Sequence, residues 1–556
     1  MARRGTVAAV WLAVCGIAAA QGPDGGKGPD GGRGPAPASA SIREQDLRAD
    51  VSFLASELLE GRLTGSAGNR LAAEFVRARF EGLELVPVAG GSYFQTFRLM
   101  RAALGDGNTF AAHVGDATLT GRASEDFYPQ PFSPSTRAEG PVVFAGFGIF
   151  APERGHDDYR DVDLRGRVVL VLDHGPGERD PDDPRATLLT SDVVTPIRKA
   201  LAAQEKGAAA ILFAGDVQNH GVGAFAGEAA RAWPSIPSRI DRYELASRAE
   251  ALRIPAVRIS PRLAEGLVSS LGPSLRAVAE EAERAAARRP VPLVGVRVEV
   301  SASVVRSLLP DRNVVAAIEG GDPRLREEWV IIGAHLDHDG VEGTNVFAGA
   351  DDNASGVAGL LEIAEAYALA VEQERRPRRS VLFAAWNAEE RGLLGAWAYA
   401  DRPLVPLART VAVLNLDMIG RSEDVPADGG IRFRGLPPQT ADSNANAVNL
   451  LGYSYSSDLS DIVTRANAVV GLELKRRYDD NPSNLIRRSD QWPFLDSGVP
   501  AVWFFTGLHP DYHTFGDVPE KLDYSKMARV VRLVHQTSWL LAQEDARPAL
   551  DRRPEP

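Results

Sequence analysis

The stretch EWVIIGAHLDHDG, Glu328–Gly340, sets the reading of this chain. Trp329 to Ala334 is an apolar run of strand length, and it ends in a cluster of histidine and aspartate. A strand that is apolar without alternation is buried on both faces, as in a parallel sheet layered between helices. Outward from it the same rhythm repeats. NVVAAIEG from Asn313, SVLFAAWN from Ser380, TVAVLNLD from Thr410 and AVWFFTG from Ala501 read as strands. SGVAGLLEIAEAYALA from Ser355, RGLLGAWAYA from Arg391, SDIVTRANAVVG from Ser460 and SKMARVVRLVHQTSWLLAQ from Ser525 read as helices. The expected fold class is α/β: a mostly parallel, mixed sheet with helices on both faces. Ligands of such sheets sit beyond the carboxyl ends of the strands.

Five short segments carry metal-type donors, most of them just past a strand. They are HLDHDG from His335, ADDNASG from Ala350, WNAEERG from Trp386, NLDMIG from Asn415 and YHTFGD from Tyr512. Zinc accepts imidazole nitrogen and carboxylate oxygen where thiolates are absent. The segments offer enough of both for two adjacent zinc ions with an open face, and also for one acid that binds no metal and takes a proton from water. His335 and Asp337 are two residues apart, so in extended chain they share a side, and Asp337 is placed to orient the imidazole. His338 reads as structural. Asp351 and Asp352 open a helix with Asn353 or Ser355 as its cap. Glu389 and Glu390 are adjacent and cannot share one geometric role: one can bind metal while the other faces substrate as base, or both can be a solvated acid pair at a helix start. Asp417 ends an apolar strand, where an unpaired acid is costly. His513 stands beside Tyr512, whose phenol can donate to a developing oxyanion.

Composition bounds the rest. The 556 residues exceed one ordinary core, so more than one domain is expected. The net charge of −12 argues against nucleic acid and anionic membrane surfaces as partners. Met1–Ala20 reads as an export signal: Arg3 and Arg4, a short apolar run, then three alanines. The chain is therefore expected in the periplasm or outside the cell, with lipid attachment at Cys15 a weaker alternative. Cys15 is the only cysteine, so a processed chain has no disulfide and no thiolate ligand. No transmembrane segment is expected after the signal, and oligomeric state is not legible.

Residues 21–40 form a Gly/Pro-rich spacer, and 546–556 read as a disordered tail. Ile42–Leu85 reads as two helices, with Val51, Leu54, Leu58 and Leu59 on one stripe and Leu71, Phe75, Val76 and Phe80 on another. Between about Glu139 and Ser260, the runs PVVFAGFGIF, GRVVLVLD, GAAAILFAGD and IPAVRIS flank the helix VTPIRKALAAQEKG. They read as an inserted small α/β unit, whose Asp157, Asp158 and His174 are taken as loop polar residues.

The five segments resemble the two-zinc exopeptidase family of secreted bacterial aminopeptidases and glutamate carboxypeptidase-like enzymes. The resemblance covers Asn313 to Ala542. DDYRDVDLRGRVVLVL, KGAAAILF and IPAVRIS resemble the protease-associated domain found as an insert in such enzymes. The implied division is 41–136 for the N-terminal part of the peptidase domain, 137–300 for the insert and 301–545 for the main peptidase domain. The resemblance makes His335, Asp352, Glu390, Asp417 and His513 the metal ligands, with Asp352 bridging two zinc ions. Cobalt or manganese are further options, since N/O donors discriminate poorly. It makes Glu389 the general base and Tyr512 the oxyanion donor. One departure stands out: Ser489-Asp490-Gln491 replaces the family's Ser-Asp-His. The implied activity is removal of N-terminal residues from peptide substrates. A carboxypeptidase or dipeptidase of the same family is the alternative, and Arg487 and Arg488 are the cations it would use.

Overall fold

The computed structural model describes residues 34–552, except 179–184, 186–187, 189–191, 221–222, 236–239 and 285–288. The export signal and the spacer up to residue 33 lie outside the described residues. The fold is mixed α/β. Among the described residues a ten-stranded sheet forms the main body. Its centre is four parallel neighbours, in the order Ser380–Trp386, Trp329–His335, Thr410–Leu416, Ala501–Phe505. Alternate side chains enter opposite cores, as the two-residue period of a strand requires. Val330, Ile332 and Ala334 face one core, and Ile331 faces the other. Helices Glu44–Leu54, Ala67–Gly82, Gly356–Glu372, Ser457–Asn467 and Tyr524–Gln543 cover the first face. Leu394–Asp401 and Gln491–Asp496 lie on the second. Gly356–Glu372 continues a segment that is long and apolar enough by composition to cross a bilayer, and most of it is buried inside the molecule.

The sheet is less parallel than its centre. Phe94–Leu104 and Val304–Ile318 form a long antiparallel pair, and Val304–Ile318 also meets Ser380–Trp386 antiparallel. Beyond the other flank, Ala447–Leu451 runs antiparallel to Ala501–Phe505 and pairs with Glu473–Lys475. Apart from Asn313–Ile318, which is the expected strand NVVAAIEG, these outer strands escape an apolar-run search because they are short, or polar on one face. Phe94–Leu104 alternates buried and exposed positions only in part.

A second, eight-stranded sheet contains the apolar runs of the segment read as an α/β insert. Val168–Leu172 is parallel to Thr136–Phe144 and to Ala210–Ala214, which is parallel to Ala256–Ile259. This sheet also takes in Thr109–Val114, Ala117–Gly121 and Phe127–Pro129, residues that the sequence assigned to the N-terminal part of the peptidase domain. The insert leans on the main body through ion pairs, Arg248 to Asp401 (2.7 Å) and Arg154 to Asp496 (3.4 Å).

Three local expectations are corrected. Leu58 is 82% exposed and Leu71 55% exposed. The first helix ends at Leu54 and a separate 3-10 turn, Glu57–Arg62, follows, so Leu58 is no longer on the helical stripe of Val51 and Leu54 and points outward. In Ala67–Gly82 the buried stripe is Ala72, Ala73, Val76 and Phe80, so small residues rather than Leu71 meet the sheet. At the ends, Ala36 is buried and its N–H donates to Gln536 Oε1, while Asp551 N donates to Tyr455 O (3.0 Å). The last spacer residues and the start of the tail are therefore docked.

Arg62 ties the N-terminal helices to the functional rim. It is fully buried, and its guanidinium donates to the carbonyls of Leu54 (2.5 Å), Leu336 (2.9 Å), Ala348 (2.8 Å) and Gly349 (2.9 Å). Burial pushes the guanidinium down to about 10, against the pull of Asp352, Asp517 and Asp337. Arg62→Met keeps the bulk but leaves buried carbonyls without donors, at a cost on the order of 3 kcal/mol or more. Urea denaturation should show the main domain unfolding at clearly lower denaturant. An unchanged midpoint would remove Arg62 from this role.

Candidate metal centre

The parallel strands end flush. His335 is in register with Trp386, and Gly333 with Asn415. The residues that follow, Glu389, Glu390 and Asp417, therefore reach the same rim as His335. The turns that aim them are tight: Ala388, Met418 and His513 all carry positive φ, a strained choice that clusters at functional sites. Gly349 also has positive φ, and a Cβ there would lie 2.1 Å from Asp352 O and against the His338 ring. Ser355 is the residue before the helix behind Asp352, and Asn353 Oδ1 accepts from the helix's first N–H, that of Gly356 (2.9 Å). Asp517 accepts the N–H groups of Asp351 and Asp352 (3.0 Å each), which fixes the backbone of that loop.

The expected ligands converge. Asp352 Oδ1 lies 3.2 Å from His335 Nε2, and the same nitrogen lies 3.4 Å from Asp417 Oδ1. Asp352 Oδ2 lies 3.2 Å from His513 Nε2, which is 3.5 Å from Glu390 Oε2. Two donor triads thus share one carboxylate, one oxygen each. Asp352, Asp417 and Glu389 are buried, with Asp337 and Asp490 beside them. Both Asp490 oxygens lack a hydrogen-bond partner, and burial drives its carboxyl well above the usual range. Such an excess of buried acid is the donor chemistry of a cation site.

Electrostatics within the cluster follow from this crowding. Burial pulls the His335 imidazole down, but Glu389, Asp417 and Asp352 more than offset it, and it stands well above the usual imidazole range. His513 is raised in the same way, by Glu390, Tyr512, Asp339 and Asp352 against burial. Burial would raise Asp352, yet hydrogen bonds from His335 and His513 hold it well below the usual carboxylate range. Glu389, in neither triad, is pushed well above its usual range by burial, with Glu390, Asp490 and Asp417 adding to the effect against the pull of His335.

Asp337 needs correction. His335 Nδ1 faces the backbone oxygen of Asp337 (3.2 Å), not its carboxylate. The carboxylate accepts from Thr64 Oγ1 (2.8 Å) and from Glu389 N (2.9 Å). The chain leaves the strand at His335, so the two-residue rule of an extended chain no longer holds. Asp337 positions Glu389 instead. Three participants were missed. Asp339 Oδ2 holds His513 Nδ1 at 2.9 Å, the second-sphere role expected of Asp337. Ser489 donates to Asp417 Oδ2. His338, fully buried, places Nδ1 2.8 Å from Glu390 Oε1. The spacing within HLDHDG contained the first and third signals, but nothing in the string tells which aspartate serves which histidine. Gln491, where the family carries histidine, meets Asn415 Nδ2 (3.2 Å) through Oε1 and donates to Ile486 O (2.6 Å), away from the ligands.

The rim opens into a cavity of about 280 Å³ lined by His335, Glu389, Tyr512, Trp503, Arg487 and Arg488, among others. The Tyr512 ring packs edge-on against His513 at 4.1 Å.

Residues 313–538, which contain every one of these ligands, match the model of Peptidase family M28. The chain carries a peptidase family M28 domain. Among curated relatives, a probable zinc metalloprotease of Leptosphaeria maculans is 29% identical over 42% of this chain and 58% of its own length. A probable glutamate carboxypeptidase of Arabidopsis thaliana is 27% identical over 69% of this chain and 51% of its own length. Leucine aminopeptidase 2 of Trichophyton equinum is 30% identical over 38% of this chain and 37% of its own length. The chain spans about half the length of the curated relatives it matches. A solved zinc aminopeptidase from Bacillus subtilis aligns at 17% identity over 92% of this chain and 98% of that one, with a TM-score of 0.43.

Within the M28 domain the raised imidazoles have a measurable consequence. A histidine whose folded-state pKa is raised holds its proton through neutrality, so its contribution to metal-free stability is full below about pH 6.5 and is lost as pH climbs through the raised value. Metal binding must expel those protons. Zinc added to metal-free protein should therefore release protons, and its apparent affinity should rise with pH. Titration calorimetry in buffers of different ionisation heat reads this directly. Heats independent of buffer would contradict it.

Proposed function

We propose that the chain is a zinc-dependent exopeptidase that removes N-terminal residues from peptides, working at the strand-end rim with two metal ions. The observation that carries this reading is the division of Asp352, one oxygen toward His335 and Asp417, the other toward His513 and Glu390. Each triad has the N/O composition that zinc accepts and leaves a position for water or substrate. The names of the zinc metalloprotease and leucine aminopeptidase relatives support the same class. Bound zinc would lower the pKa of water and polarise a carbonyl.

The protein groups divide the remaining work. Glu389 is outside both triads, is held at its N–H by Asp337, and faces the cavity. Its carboxylate takes a proton from the attacking water and returns it to the departing amine. A carboxyl with a raised pKa suits both halves of that exchange, and nearby metal charge would bring it back toward ionisation. Tyr512 donates its phenolic proton as a hydrogen bond to the oxygen that gains charge. Burial keeps that phenol above its usual range, hence neutral and able to donate. Leu393, Leu485, Leu508 and Trp503 give the cavity an apolar side for a side chain.

A second reading shares the chemistry and changes the end recognised. Arg487 and Arg488 line the same cavity, and a guanidinium is the natural partner of a free carboxylate. Arg487 stacks over Trp492 at 5.1 Å and is pushed down to about 10 by burial, while Arg488 donates to Ser483 O (3.0 Å). On this reading the enzyme is a carboxypeptidase or dipeptidase. We also assign the chain to the periplasm or the exterior, on the basic start and apolar run of Met1–Ala20.

A panel of free-amino and N-blocked peptides separates the readings. The aminopeptidase releases residues only from free amino ends. Glu389→Gln should lower kcat by about 10²–10⁴-fold with metal content unchanged. Cleavage of N-blocked substrates from the carboxyl end would install the second reading. Full activity in Glu389→Gln would overturn the assigned base.

A further inference from the structure

The insert carries a second cluster of metal-type donors, unrelated to the rim. His174, Glu178 and His220 bring ligand atoms within 4.8 Å of one another. They come from the loops that follow two neighbouring parallel strands, Val168–Leu172 and Ala210–Ala214, whose last residues are in register. The position is again the carboxyl end of a parallel sheet, where α/β units bind ligands.

We propose that His174, Glu178 and His220 form a separate binding site for a zinc-class divalent cation. Glu178 Oε2 lies 2.9 Å from His220 Nε2 and 3.8 Å from His174 Nδ1. Donors about 2.0–2.1 Å from a tetrahedral zinc stand about 3.3 Å apart, so the observed separations bracket the required one. The two imidazole rings are adjacent and tilted, 4.3 Å between centroids at 31°. Two imidazoles and one carboxylate are the donor set of a zinc site with an open position, and they disfavour hard cations such as calcium and magnesium.

The loops are built to hold these side chains. Glu283, on helix Leu275–Arg284, accepts from Gly177 N (2.6 Å) in the first loop and from Asn219 Nδ2 (3.3 Å) in the second, one oxygen each. Asp216 accepts from Gln218 N (3.1 Å) and Asn219 Nδ2 (2.7 Å), and its own carbonyl accepts from His220 N (3.0 Å). Fully buried Lys199 donates to the carbonyls of Leu172 (3.0 Å) and His174, and His174 itself takes left-handed backbone. Both histidines line a cavity of about 270 Å³, so a bound ion would remain accessible to water or to a further ligand. An ion here would also join the two loops.

The test compares zinc content in full-length chains that share the same rim. Wild type, His220→Ala and Glu178→Gln are stripped of metal, equilibrated with zinc, and counted by mass spectrometry after dialysis. Folding is checked by circular dichroism. Because the comparison is a difference, it stands whatever number of ions the rim holds. The proposal expects one zinc fewer per chain in His220→Ala, a loss or clear weakening in Glu178→Gln, and unchanged peptide hydrolysis at saturating rim metal. Calcium or magnesium in excess should not displace the ion. Equal zinc content in wild type and both folded variants would overturn it and leave His220–Glu178 as an ordinary surface ion pair. Displacement by calcium would overturn the assigned chemical class.

Discussion

Asp352 lies between two imidazoles, His335 on one carboxylate oxygen and His513 on the other, and each imidazole has a further carboxylate within reach. This shared, buried carboxylate is the constraint around which the rim is arranged. An acid at a sheet edge walled by apolar strands is expensive unless strong partners meet it from several directions. Here the acid and its four partners come from five places in the sequence, and a sheet whose strands end together delivers them to one point.

The supporting structure serves that requirement. Arg62 gathers the carbonyls of Leu336, Ala348 and Gly349, which lie beside His335 and Asp352. Asp517 fixes the N–H groups of Asp351 and Asp352. Asp337 takes the N–H of Glu389, and Asp339 takes the ring of His513. Each ligand-bearing loop thus has a partner of its own that sets its position before any cation binds. This is the preorganisation that electrostatic catalysis needs. The insert repeats the logic on a smaller scale, with Glu283 bonding to both loops beyond a parallel strand pair.

The central strands and their covering helices were legible because apolar runs such as VLFAAW and VAVLNL can be buried only on both faces. The rim was legible because its donors sit directly after those runs. What escaped was set by tertiary context. Leu58 and Leu71 fit an apolar count, but the first helix has ended at Leu54 before Leu58, and alanines rather than Leu71 meet the sheet. The outer strands Ala447–Leu451 and Glu473–Lys475 are short and follow no strong periodicity. Asp337 and Asp339 are chemically identical in the string, and their different duties depend on where the chain turns after His335. His174 was read as a loop residue because His220, the second imidazole, is brought to it only by the pairing of two strands.

The central claim is that Asp352 is shared by two metal ions. Anomalous diffraction at the zinc absorption edge, from crystals of the zinc-loaded protein, tests it most directly. The account predicts two peaks at the rim about 3.5–4 Å apart, one between His335 and Asp417, the other between His513 and Glu390, with Asp352 reaching both. A single peak there, or two peaks of which one has no contact with Asp352, would contradict it.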